Sequence, residues 1–184
     1  MSTTDSLNGG KFDTTLPRHC PPDMVIVPFT WYTLSKKQFG VVFRDAIIFS
    51  ADNKSGALLR YSQASESTEQ VDNGAVAILE GCGTKITYVM KFRGHKSFKT
   101  QKYSGTGRSP NRIANNREKI LSQVTEVMGE FIEKMKHEST AGPLQFGAGG
   151  IELEDLYLLE LRQVSKASFQ PIFAVKKDRA TWET

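Results

Sequence analysis

At 184 residues and 20.5 kDa, the chain has the size of a single domain with room for one apolar core. Its 24% charged and 39% apolar residues exclude wholesale disorder and a fibrous protein, and its two cysteines, Cys20 and Cys82, are too few for a disulfide framework. The formal charge is only +4, and the longest apolar windows, at 24–33 and 75–79, fall far short of the roughly 20 residues of a membrane-spanning helix.

Residues 1–22 are rich in Ser, Thr, Asp, Gly and Pro and read as a flexible N-terminal tail, closed by Pro17, Pro21 and Pro22. The start has neither a basic-then-apolar secretory pattern nor the Met-Gly of myristoylation, so the expectation is a cytoplasmic or nuclear protein that is not secreted. Cys20 beside His19 reads as an incidental pair, because adjacent side chains on an extended segment point apart. A single α+β domain is expected over 23–176, with a short tail at 177–184.

The domain opens with VIVPFTWYTL and FGVVFRDAIIFSA, β-branched and aromatic runs that read as two strands paired in a hairpin. After the turn cluster at 52–56 comes a short strand at 57–61, a polar loop at 62–70 and a further strand around 75–80. The segment 84–93 has the cleanest alternation in the chain. Ile86, Tyr88, Met90 and Phe92 share one face, Lys85, Thr87, Lys91 and Arg93 the other, and Val89 is the exception. One more strand is expected at 97–103.

A helix is expected from Ser109 as N-cap and Pro110 as first helical residue, running to about His137 on apolar positions from Ile113 to Met135 spaced by threes and fours. Residues 147–150 read as a flexible joint. The runs 156–164 and 169–175, separated by Ser165-Lys166-Ala167-Ser168, predict a C-terminal β-hairpin, with helix as the alternative for 151–163. The fold class is α+β: an antiparallel sheet of about six to eight strands packed against one long amphipathic helix.

Residues 91–119 hold nine basic residues against Glu118 alone, a local net charge of +8 in a chain of +4, so the remainder sums to −4. A cationic field this concentrated attracts phosphates and anionic headgroups. The candidate polyanion-binding residues are Lys91, Arg93, Lys96, Lys99, Lys102, Arg108, Arg112 and Arg117, with Phe98 and Tyr103 as candidate base-stacking rings; Phe92 alternates inward with Tyr88. Glycines leading into a helix N-terminus leave N–H groups free for phosphate, so Gly105, Thr106, Gly107 and Ser109 form a candidate phosphate cradle. The segment is neither a Walker A loop nor a dinucleotide fingerprint.

No nucleophile-and-base order, HExxH or Cys/His ligand spacing occurs, and the expectation is a non-enzyme with no cofactor and no metal. His95, inside the basic run, reads as a neutral surface histidine, and Glu152, Glu154 and Asp155 as a solvated acidic face. The leading expectation is a non-catalytic protein engaging RNA or single-stranded nucleic acid through 91–119. The alternative is a membrane-surface or assembly module on anionic lipid, matrix-like or pleckstrin-homology-like by architecture alone, with self-association into a homo-oligomer as a further possibility.

Overall fold

The computed structural model describes residues 20–32, 79, 81–107, 111–138, 142–180 and 182 with their side chains, and the backbone alone of strands at 41–48, 59–61 and 68–70. The protein is mixed α+β, with one α-helix among the described residues and a multistranded sheet. In chain order the strands are β1 (Met24–Ile26), β2 (Val41–Ile48), β3 (Leu59–Tyr61), β4 (Thr68–Gln70), β5 (Lys85–Met90), β6 (Phe98–Tyr103), β7 (Gly105–Thr106) and β8 (Ile113–Ala114). The helix α1 (Arg117–Met135) follows, then β9 (Tyr157–Ser165) and β10 (Ser168–Lys176).

The sheet runs β4-β3-β2-β9-β10-β5-β6, and β7 and β8 form a separate two-stranded ribbon. Its middle is the hairpin β9–β10, joined through the Lys166-Ala167 turn and buried along nearly its whole length. Burial on both faces explains why these strands read as near-continuous apolar runs instead of alternating ones.

Three pairings differ from the sequence reading. The first two strands do not form a hairpin: β1 pairs antiparallel with β10, and β2 lies between β3 and β9. The sheet is not purely antiparallel, because β5 runs parallel to β10 at Ser168↔Thr87 and Phe169↔Tyr88. One edge of β10 is thereby shared, β5 taking its beginning and β1 its end; Pro171, with no N–H to donate, falls between them. The segment 62–70 also carries a strand, at Thr68–Gln70. The strand expected around 75–80 lies outside the described residues apart from Leu79, which is buried.

The helix starts later than Ser109-Pro110 would place it. Asn116 is the N-cap, its side chain accepting the Lys119 N–H at 2.9 Å, and Glu118 puts a carboxylate at the positive end of the dipole. Ile113, which fits the helical spacing by number, sits in β8 and is 71% exposed. Ser109 and Pro110 lie outside the described residues.

The apolar stripe of α1, from Ile120 through Phe131 to Met135, packs on the side of the sheet that carries Ile86, Tyr88, Met90, Phe92, Phe169 and Phe173. At its densest point Phe92, Phe131 and Phe146 meet in a ring triangle with centroids 4.9 to 5.1 Å apart. The polar positions inside the helix interface are paired: the Tyr88 hydroxyl donates to Gln123 Oε1 at 3.0 Å, and Gln123 Nε2 donates to the Tyr103 carbonyl at 2.8 Å. Burial pushes the Tyr88 phenol far above its ordinary range.

The segment expected as a flexible joint at 147–150 is a hydrogen-bonded turn. Gly147 N–H donates to the Ile151 carbonyl, Ile151 N–H to Gln145, and Gly150 N–H to Gly147, at 2.8 to 2.9 Å. Gly147 and Gly149 supply the left-handed backbone angles, φ +90° and +83°, that this closure needs. Beyond β10, where a tail was expected, Ala180 is buried in the core and Trp182 packs against it. No helix among the described residues is long and apolar enough to cross a membrane.

Candidate functional site

The basic stretch folds into strand, hairpin, ribbon and helix start, and alternation distributes its cations over two sides. Cross-strand partners lie on the same side of a sheet, so Tyr103↔Lys85, Gln101↔Thr87 and Lys99↔Val89 put Lys99, Gln101 and Tyr103 opposite the helix, while Phe98, Thr100 and Lys102 face it.

On the helix side Lys102 is ion-paired twice, at 2.7 Å to Glu126 and 2.8 Å to Glu130, which are one helical turn apart. Burial works against its charge, but the hydrogen bonds and attraction of both carboxylates outweigh this and raise the ammonium pKa above its ordinary 10.5. Phe98, a candidate stacking ring, turns to the same side and meets Phe131 edge-on at 6.0 Å, with the Lys134 ammonium 5.4 Å from its centroid. It is a core-edge residue. Lys96 lies 3.9 Å from Glu138 near the end of the helix.

Arg112 also leaves the field, because its Nη2 donates inward to the Leu79 carbonyl at 3.2 Å and to Ser104 Oγ at 2.6 Å. It clips the ribbon to the core. Gly105 and Thr106 are paired with Ala114 and Ile113, so the glycines do not lead into a helix, and the free N–H groups at the helix start belong to the segment after Asn116. A Cβ on Gly105 would collide with the Ile113 carbonyl, which gives this glycine a packing reason instead of a phosphate one. Gly107 takes a positive φ of +85° at the end of the ribbon. Arg108 and Ser109 lie outside the described residues, and Arg117 is the first residue of α1, half-buried.

The opposite side holds Lys85 and Lys99, and just beyond the end of β5 Lys91 reaches the Trp31 carbonyl and Arg93 lines a cleft with Trp31. Lys85, Arg93 and Lys99 are exposed, Lys91 is half-buried, and among the described residues no carboxylate pairs with any of the four. Aromatic rings lie between them. Tyr103 is 65% exposed with the Lys85 ammonium 5.6 Å from its centroid, and the Lys99 ammonium stands 4.2 Å over the ring of Tyr32.

Tyr32 and Trp31, neither of them singled out by sequence, are held there by a dedicated set of bonds. Gln170, buried on β10, accepts from the Tyr32 N–H at 3.0 Å and donates to the Thr30 carbonyl at 2.9 Å. Thr30 N–H donates to the Lys91 carbonyl at 2.8 Å, and Lys91 Nζ to the Trp31 carbonyl at 3.3 Å. Beneath them Arg162 and Glu160 form a buried ion pair on β9, and the guanidinium lies 4.7 Å from the Trp31 ring centroid. The residues 30–32 are thus laid across the sheet as a fixed strip. The sequence signals that bear on it are the adjacent Trp31-Tyr32 at the end of the first apolar run and Gln170 between the apolar residues of β10.

Beside the strip opens an apolar cleft of about 780 Å³ lined by Met24, Pro28, Phe29, Trp31 and Trp182, with Arg93 the only cation on its wall among the described residues. Phe29 meets Trp31 edge-on, centroids 4.8 Å apart.

The remaining candidates are structural. His95 is not a free surface histidine: its Nε2 is 2.8 Å from the Leu144 carbonyl, its Nδ1 3.4 Å from Met135 Sδ, and its ring packs on Phe131 and Phe146. Asp155 pairs with Arg179 at 2.7 Å and caps the Glu152 N–H, so the acidic group is partly consumed in holding the turn before β9. Among the described residues no group of His, Cys, Asp and Glu could hold a metal ion. Burial raises the pKa of both thiols above the ordinary 9.0, and Cys82 Sγ donates to the Lys166 carbonyl, which marks them as packing residues. Compared with models of protein families, with curated proteins and with solved structures, the chain matches none.

Proposed function

We propose that this protein is a non-catalytic polyanion-binding module whose ligand is RNA or another single-stranded nucleic acid, held on the side of β5–β6 that faces away from α1. The observation that carries this reading is the set Lys85 and Lys99, on one side of two paired strands, with Lys91 and Arg93 just beyond the end of β5, without carboxylate partners among the described residues and interleaved with Tyr32 and Tyr103. Cations spaced along strands track a phosphate backbone, and ring faces between them offer stacking to unpaired bases, which a duplex keeps inside its own stack. The interface proposed is smaller than the full basic stretch, since Lys102, Arg112 and Phe98 are engaged on the helix side or in the core.

An anionic membrane surface is the second reading. It is favoured by Tyr103 and Ile113, the two large apolar side chains most exposed among the described residues, at 65% and 71%, on β6 and the adjoining ribbon. Parallel titrations with single-stranded RNA, duplex DNA and vesicles with and without anionic lipid, all at one ionic strength, separate the two. The nucleic-acid reading expects tightest binding to the single strand. Sedimentation with anionic vesicles and no retention of RNA would replace it with the membrane reading.

A further inference from the structure

The cleft beside the Thr30–Tyr32 strip is not needed for phosphate tracking, yet Arg93, one of the cations of the proposed interface, stands on its wall. Its wall is aromatic and aliphatic, its volume of about 780 Å³ lies within the range of pockets that enclose small organic ligands, and its polar requirement is met by a single cation, Arg93. Arg93 bonds the Pro28 carbonyl through its backbone N–H at 2.9 Å, which fixes the guanidinium's origin at the cleft wall and leaves the side chain itself exposed. Trp31 cannot swing away. Arg162 stacks on it from the sheet, Phe29 meets its edge at an interplanar angle of 86°, and Lys91 holds its carbonyl. A rigid ring wall with one cation at its edge suits a flat, apolar-faced ligand that carries a single negative charge at one end.

We infer that this cleft receives one unpaired nucleobase of the bound strand, with Arg93 on the adjoining phosphate. The inference rests on the single-strand reading above and adds what that reading lacks, a place where a base leaves the strand and rests against an aromatic wall. A run of lysines alone would treat all polyanions alike; a base seated in the cleft makes the protein prefer unpaired nucleic acid over duplexes and over anions without bases.

The chain's two tryptophans, Trp31 and Trp182, both line the cleft, so tryptophan emission reports on this place and no other. The test follows a labelled oligouridine of about eight nucleotides by anisotropy and tryptophan emission together, with inorganic polyphosphate as an anion without bases. The expected result is saturable quenching by oligouridine with the same midpoint as the anisotropy change, while polyphosphate displaces the oligonucleotide and returns emission to its free level. Trp182→Leu should weaken oligouridine binding about fivefold or more and leave polyphosphate binding within about twofold. Arg93→Gln, which keeps both reporters, should retain the quenching at a raised midpoint. Anisotropy binding without quenching, or equal quenching by polyphosphate, overturns the cleft assignment and leaves the single-strand reading standing. No anisotropy change at all removes both.

Discussion

The two sides of the β5–β6 pair are built from the same sequence and meet opposite surroundings. Toward α1 the strands present Ile86, Tyr88, Met90, Phe92 and Phe98, and the one lysine there, Lys102, is neutralised by Glu126 and Glu130. Away from α1 they present Lys85, Lys99 and Tyr103, with Lys91 and Arg93 just beyond β5, and no such compensation occurs among the described residues. Lys99 and Lys102 are three residues apart in one strand and differ only in which way the pleat turns them. Charge density in a sequence therefore measures how much cation is available, and strand parity decides how much of it reaches a ligand.

The largest effects should come from the helix side and from the polar set under the strip, and they should be effects on stability. Phe131→Ala removes one corner of the ring triangle and should cost about 3–5 kcal/mol in denaturant titration, with binding by the folded fraction unchanged. Arg162→Met removes one partner of the buried Glu160 carboxylate and should lower stability by up to about 3–5 kcal/mol, and it should also loosen Trp31 enough to shift its emission. If Arg162→Met lowers stability while leaving Trp31 emission unchanged, the ion pair does not hold the strip.

Lysine substitutions sharpen the comparison directly. Lys99→Gln should weaken single-strand binding several-fold and reduce the salt slope by about 0.7, the contribution of one released phosphate counterion on a single strand. Lys102→Gln should leave binding within about twofold and cost at most about 1 kcal/mol of stability, the range of a largely surface ion pair. Equal losses of binding from both would mean that the pleat does not sort the charges.

The smallest effect expected is a pH dependence away from both sides. Burial tends to raise the Asp155 carboxyl, but its bonds to Arg179 and the Glu152 N–H win and hold it below the ordinary 3.8. A folded-state value below the unfolded one means that protons are taken up on unfolding. The pair's stabilisation is therefore complete above about pH 4 and lost as pH falls through the lowered value. Thermal midpoints of wild type and Asp155→Asn should differ at neutral pH and converge in strong acid.

Local features of this fold are legible in the sequence where one period dominates. The alternation from Lys85 to Phe92 foretells which side is buried, and Ser165–Ser168 between two apolar runs foretells the central hairpin. The helix start is not legible, because Ser109-Pro110 and Asn116 are both good caps and Ile113 falls in step with Ile120 by coincidence; tertiary pairing of Ile113 with Thr106 decides between them. The parallel β5–β10 contact and the seat of Trp31 on Arg162 join residues about eighty and over a hundred positions apart and leave no local mark. For the site, residues 91–119 contain Lys91, Arg93, Lys99 and Tyr103, and alternation adds Lys85 to the same face, but Trp31, Tyr32 and Trp182 enter only through contacts between segments far apart in sequence.

The central claim is that four cations, on and just beyond β5–β6, carry the binding of a single strand. Its most direct measurement is the affinity for oligouridine across salt, comparing wild type with the combined Lys85→Gln, Lys91→Gln, Arg93→Gln, Lys99→Gln variant. The account predicts a wild-type slope of log K against log salt near −3, collapsing toward zero in the variant. A wild-type slope near zero, or the same slope in both proteins, would contradict it.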